Sequence, residues 1–388
     1  MSEPVSESAS KFHPASLCSA VARQPDEQYR LILLAKPGGH RKLLHLAGRV
    51  RDRNIGRRGV EVLALIEGVA VSTTGREAEG LSRAGVVAAL WQVPAAIHEP
   101  YVRTIWSLGD AVKEKIRVVN LSLAPPRDVL DPRFRAEEPM NLATRAAADK
   151  GLLVLFAAGN YGPAENTLNP WSVAPWVLSV GAASEDGEFL ADFSSRGVPG
   201  DPLYRPTVTA PGIDQLVAHP SGIPKTQQQL AAEERTGFNQ RVPESERSRY
   251  TVVSGTSMAC PVVLAVAAQV IFYMDRLKAL PPFRKRKVPP DATWVQMYTH
   301  RRTDPLDDRL TTNRLAGKLA LAGGASTGSY PLHSTPAVVK QIILDMALGM
   351  PAYKPHEVGA GFVSRELALH YFGGLGWADP PITSYKVL

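Results

Sequence analysis

Ser257 stands in the run Val252–Val263, VVSGTSMACPVV, where an apolar helical pattern opens that reaches about Tyr273. A hydroxyl at a helix start lies at the positive end of the helix dipole, and small neighbours let a peptide backbone come close. Small-residue helix starts also serve plain packing, so this run alone leaves nucleophile and packing motif both open. Asn160 is the second candidate, in Ala157-Ala158-Gly159-Asn160-Tyr161-Gly162 at the end of an apolar, β-rich run. Open α/β sheets hold their ligands at the carboxyl ends of strands. A side-chain amide there can donate to a developing oxyanion, or it can be a turn residue tolerating positive φ.

The elements that must position these residues follow from hydrophobic patterning. Val60–Ile66 (VEVLALI), Arg117–Leu123 (RVVNLSL), Leu152–Ala158 (LLVLFAA) and Trp176–Ala182 (WVLSVGA) predict buried parallel strands. Glu79–Ala89 and Pro139–Lys150 predict helices between them. Strand and helix in alternation imply a parallel sheet with helices on both faces, three layers in all. Before these, Tyr29–Ala35 (YRLILLA) predicts one more strand. The expected organisation is an N-terminal extension over 1–58, one α/β domain over 59–375 and a tail over 376–388. Insertions are expected near 213–250 and 279–333, where polar and Pro-bounded stretches break the pattern.

Taken together, the motifs resemble the subtilisin-like serine protease family. Gly255-Thr256-Ser257-Met258-Ala259 with Pro261 resembles the family's nucleophile motif, and Ala157-Ala158-Gly159-Asn160 its oxyanion-hole motif. Val118–Leu123 resembles the substrate-binding strand. Ser179–Ala182, Phe193–Gly197, Ala210–Gly212 and Gly359–Val363 resemble later family segments, in the family's order. The resemblance implies a subtilisin-like α/β fold, Ser257 as nucleophile and Asn160 as oxyanion donor, both facing one cleft. It further implies that Ser122, Leu123 and Ala124 pair with a peptide as an added strand. Ala157, Ala158 and Gly159 would wall the side-chain pocket. Pro125 and Pro126 stand where the family usually has glycine, and proline donates no backbone hydrogen bond.

The family also needs an Asp at the end of its first strand and a His opening the next helix. Aligning Val62–Gly68 puts Glu67 at the Asp position, and aligning Glu79–Gly85 puts Glu79 at the His position; no histidine occurs between His45 and His98. The related sedolisins use Glu on this helix. A carboxylate is about two pK units less basic than imidazole. Glu67 close to Glu79 would raise its pKa and favour activity below neutral pH, whereas Arg83 at i+4 would hold Glu79 ionised. Glu77, His98 and His219 are the displaced alternatives. Cys260 faces the helix interior by spacing and reads as packing.

Composition sets the outer bounds. The 388 residues are 44% apolar and 21% charged, which excludes a mostly disordered or collagen-like chain. Two cysteines, Cys18 and Cys260, exclude a disulfide scaffold. No run of about 18 consecutive apolar residues occurs, so no membrane span is expected. The first residues, MSEPVSES, lack the pattern of a secretory signal, and a cytoplasmic location is the expectation. No metal or cofactor motif stands out. The basic stretches at 41–58 and 284–302 are read as solvated faces rather than a nucleic-acid surface. Two readings carry the weight. One is a serine peptidase or related acyl-transfer hydrolase using Ser257 with a carboxylate base. The other is a pseudoprotease that binds a peptide or protein partner without cleaving it.

Overall fold

The structure, a computed structural model, describes residues 9–49, 60–94, 97–125, 134–201, 203, 205–220, 222–279 and 334–368. Most of the 279–333 insertion, the tail at 376–388, the basic stretch at 284–302 and residues 50–58 of the other one lie outside these. The chain divides into two compact units, residues 1–117 with 135–152, and residues 118–134 with 153–388.

In the first unit β1 (Phe12–His13), α1 (Ser16–Arg23), β2 (Gln28–Ala35), α2 (His40–Arg49), β3 (Val60–Leu63), β4 (Gly68–Thr74), α3 (Gly75–Arg83) and β5 (Val87–Gln92) follow in order. Their sheet has the order β1-β5-β2-β4-β3. β2 runs antiparallel to both β4 and β5, and β3 runs antiparallel to β4. From β2 onward the order is strand, helix, strand, strand, helix, strand. Leu31, Leu33, Leu43, Val69, Val71, Leu81 and Leu90 form its core. A capping box starts α3. The Thr74 hydroxyl accepts from Glu77 N at 3.3 Å, and the Glu77 carboxylate accepts from Thr74 N at 3.0 Å. Two further helices complete the unit, α4 (His98–Lys113) and α5 (Pro139–Asp149). The Tyr101 hydroxyl on α4 donates to Glu138, the N-cap of α5.

This unit corrects three expectations. Val60–Ile66 is not a buried parallel strand: β3 is antiparallel, Val62 is exposed, and Ala64–Ile66 is a 3-10 turn. Glu79–Ala89 is not one helix, because α3 ends at Arg83 and β5 begins at Val87. The chain does not divide at residue 58, since β2 lies in one sheet with β4 and β5.

The second unit holds a parallel sheet in the order β6-β7-β8-β9, formed by Val118–Leu121, Leu153–Ala157, Leu178–Ala183 and Val208–Pro211. Neighbouring β10 (Gln215–Ala218), α6 (Gln227–Arg235), α7 (Phe238–Arg241) and β11 (Tyr250–Val253) occupy the expected insertion at 213–250. That stretch is ordered: β10 and β11 pair antiparallel, and Ala232, Phe238, Val242 and Val252 make a small core. Then come α8 (Thr256–Ala279), α9 (Pro336–Met346) and α10 (Pro355–Val358).

α8 buries Ala259, Cys260, Val263, Val266, Ala267 and Val270 in one core with Leu155, Val180, Ala182 and Val208 of the sheet. Val339, Ile342 and Ile343 of α9 join the same core. By length and mean hydropathy of 1.9, Thr256–Asp275 would qualify as a membrane span. No unbroken apolar run marks it in the sequence, because Ser, Thr and Gln interrupt the helix without lowering its mean hydropathy enough. In the structure one side of it is core against the sheet.

Lys340 of α9 is buried and donates to the carbonyls of Pro175 and Val177 at 2.9 and 2.6 Å. Burial, with a smaller push from Arg205, draws its ammonium down from 10.5 to about 7. Between those values the unfolded chain binds more protons than the folded one, so stability rises with pH and is lost as pH falls to about 7. The urea midpoint of wild type should therefore rise from pH 7 to pH 9.5 relative to that of Lys340→Met. Parallel pH trends in the two proteins would show that Lys340 is charged in the native state.

Candidate active site

Ser257, Asn160, Ser122 and the segments around them all belong to the second unit. Ser257 is the second residue of α8 and is half-buried. Three residues later, Cys260 is fully buried, and burial pushes its thiol far above the usual range, so it is no competing nucleophile.

Pro261 explains why Ser122 is at the site. Proline has no N–H, so the carbonyl four residues earlier, that of Ser257, has no helical donor. The Ser122 hydroxyl, just past the end of β6, donates to that carbonyl at 2.9 Å. It also accepts from the Asn120 side-chain nitrogen at 3.1 Å. Ser122 thus acts as a tie between β6 and the start of α8, a role that sequence reasoning missed. The signal was available in the proline at Ser257 + 4.

Asn160 is exposed just past the end of β7. Its carbonyl oxygen accepts from Thr256 N at 3.0 Å and from the Thr256 hydroxyl at 2.8 Å. With the oxygen so engaged, the amide nitrogen is the end left to donate. Thr256 Oγ1 in turn accepts from Gly159 N at 3.3 Å. The residue before the serine therefore orients the residue proposed to assist it. Gly159 has φ +108, and a Cβ there would stand 2.7 Å from Ser195 Oγ. Only glycine fits this corner. Ser195 is buried and ties the loop down: its N–H donates to Gly159 O at 3.0 Å, and its hydroxyl accepts from Tyr161 N at 3.1 Å.

The substrate-pairing residues Leu123 and Ala124 are exposed, while Ala157 and Ala158 are buried. Asn169, fully buried, joins the two segments. Its side-chain nitrogen donates to Leu123 O at 2.8 Å and to Ala157 O at 2.9 Å. The Tyr161 hydroxyl donates to Pro125 O at 3.0 Å.

Glu67 and Glu79, the expected orienter and base, belong to the first unit. Glu67 sits at φ 51 in the turn joining β3 to β4. Glu79 lies inside α3, its carboxylate 2.5 Å from Arg83, with both side chains at least half exposed. Glu77 is taken up by the capping box. Neither Glu67 nor Glu79 ends or follows a strand of the parallel sheet, the position the resemblance assigned them. An apolar β-branched run reads alike in parallel and antiparallel sheets, so the alignment could not tell the two apart. Nor do the described histidines of the second unit replace them. His219 contacts Ile223 O at 2.8 Å through its ring nitrogen, and buried His356 stands 3.4 Å from Glu165. His98 opens α4 in the first unit, and burial lowers its pKa. Among the described residues no three His, Cys, Asp or Glu side chains gather as a metal site.

Residues 99–280 match the family model described as the subtilase family, Peptidase S8. This stretch is similar to the subtilase family. The match covers α4 and the parallel sheet through α8 and leaves out β1 to β5. The serine protease AprX of Bacillus subtilis (strain 168) is 33% identical over 170 residues, 42% of this chain and 35% of that protein. The subtilisin-like protease SBT5.5 of Arabidopsis thaliana is 31% identical over 144 residues, 35% of this chain and 17% of that one. The chain thus spans about a third or less of these curated relatives. Among solved structures, the prenylagaramide maturation protease PagA matches at 19% identity and a TM-score of 0.41, over 70% of this chain and 65% of that one.

Proposed function

We propose that this chain is a peptide-binding subtilase relative whose serine is not activated. Its cleft takes up a peptide or protein segment at the carboxyl ends of β6 and β7. The observation that carries this reading is the pair Glu79–Arg83 at 2.5 Å. The carboxylate assigned as base is the partner of a guanidinium, in a capped helix that follows β4, a strand paired antiparallel on both sides. An exposed ion pair of this kind contributes little to stability, but it engages the Glu79 carboxylate with Arg83 rather than with a serine hydroxyl. Loss of a general base removes about 10²–10⁴ in rate. Asn160, oriented by Thr256, would then hold a peptide carbonyl without turning it over.

A second reading is kept by one observation. The Thr256–Asn160 hydrogen bonds leave the Asn160 amide free to donate, which a peptidase working through Ser257 needs. The relatives named above are described as proteases, and a carboxylate-assisted serine peptidase of this family would take peptide substrates.

Labelling by a fluorophosphonate probe between pH 4 and pH 9 separates the two. Wild type should label no more than Ser257→Ala at every pH. Labelling of wild type that disappears in Ser257→Ala would establish an activated serine and the peptidase reading. Loss of that labelling in Glu79→Gln would then identify Glu79 as its base.

A further inference from the structure

A parallel sheet opens a crevice where neighbouring strands end at their carboxyl side. β6 and β7 are such neighbours, and the chain leaves them as Ser122–Pro125 and Ala158–Tyr161. Ser257 adjoins this crevice through the Ser122 hydrogen bond to its carbonyl. Two side chains bridge the crevice. On the buried side, one nitrogen of Asn169 holds both Leu123 O and Ala157 O within 2.9 Å. Those oxygens are therefore less than about 6 Å apart, which leaves less free width than the ~3.5–4 Å contact distance of an apolar carbon. Farther along, the half-buried Tyr161 reaches over to Pro125 O at 3.0 Å.

We propose that Tyr161, bridged to Pro125, together with the Asn169 bridge, restricts this crevice to peptides with glycine or alanine at the residue whose carbonyl meets Asn160. The proposal deepens the peptide-binding reading and rests on it. A leucine or phenylalanine side chain would have to break the Tyr161–Pro125 hydrogen bond and displace the ring. Proline at 125 keeps its carbonyl as acceptor while offering no N–H, so the bridge competes with no backbone donor at that position.

The test is fluorescence anisotropy with the full chain and four fluorescein-labelled tetrapeptides that differ only in a C-terminal Gly, Ala, Leu or Phe. For wild type, the Gly and Ala peptides should bind at least ~10-fold more tightly than the Leu and Phe peptides, a typical penalty for side-chain atoms that a pocket cannot admit. Tyr161→Ala should bring the four within ~3-fold by improving Leu and Phe. Tyr161→Phe, which keeps the ring and loses only the hydrogen bond, should fall between. Tight binding of the Leu or Phe peptide to wild type, or discrimination unchanged in both variants, would overturn the pocket proposal and leave the binding reading intact. Absence of binding by all four to all three proteins would overturn the binding reading and this proposal with it.

Discussion

Asn169→Ala is expected to destabilise the second unit by about 3–5 kcal/mol, among the larger effects a single substitution produces. Asn169 is fully buried and satisfied at every polar atom of its side chain. Its nitrogen serves two carbonyls and its oxygen caps the turn at Trp171 N, 3.1 Å away. Alanine would leave those partners without it in a site that water enters poorly, at about 1–3 kcal/mol for each orphaned group. For a unit of this size that is a fall in melting temperature on the order of 10 °C. Asn169→Asp separates the two jobs of the side chain. An aspartate keeps the capping oxygen but turns a carboxylate oxygen towards Leu123 O and Ala157 O. It should be at least as damaging as alanine. A loss under 1 kcal/mol in calorimetry for both variants would show that the two segments are held by something other than this amide.

Gly162→Ala is expected to disrupt both stability and ligand binding. A Cβ at this position would stand 2.2 Å from Ser194 O and 2.5 Å from Asp192 O, both backbone atoms. No side-chain rotation relieves that overlap, so one backbone segment must move. The segment at risk is the one that carries Asn160 and Tyr161. Gly162 N donates to Phe193 O at 2.9 Å, and Ser195 binds the same loop at Gly159 and Tyr161. Displacing it would release Tyr161 from Pro125 and Asn160 from Thr256 together. The expected result is a melting temperature several degrees lower and at least ~10-fold weaker binding of the alanine-ended peptide. Wild-type binding and melting in Gly162→Ala would mean that the two loops separate at little cost.

Read from sequence alone, the segments that carry Asn160 and Ser257 were placed on the right elements. Leu152–Ala158 was expected as a strand and β7 spans Leu153–Ala157; Ser257 was expected to open a helix and α8 begins at Thr256. These are local properties. An unbroken apolar run of strand length ends in Gly159, and a helix begins at small residues, whatever the rest of the chain does. Cys260 was legible as packing for the same reason, since its position follows from helical spacing.

Glu67 and Glu79 were legible only as residues near the end of an apolar run and near a helix. Which sheet that run joins depends on β2, more than thirty residues earlier, pairing with β4 along Gln28–Leu34. Strand pairing at that separation leaves no local trace, because Val, Ile and Leu suit both kinds of ladder equally. The sequence by itself therefore determined the strand that leads to Asn160 and the helix that carries Ser257. Only the tertiary structure decided that the two glutamates belong to the unit whose β2 and β4 pair antiparallel, that Ser122 replaces the donor Pro261 cannot supply, and that Asn169 and Tyr161 bridge the crevice. Each of these rests on contacts between residues from 12 to 135 positions apart, set by how strands and loops pack rather than by what their neighbours in the chain prefer.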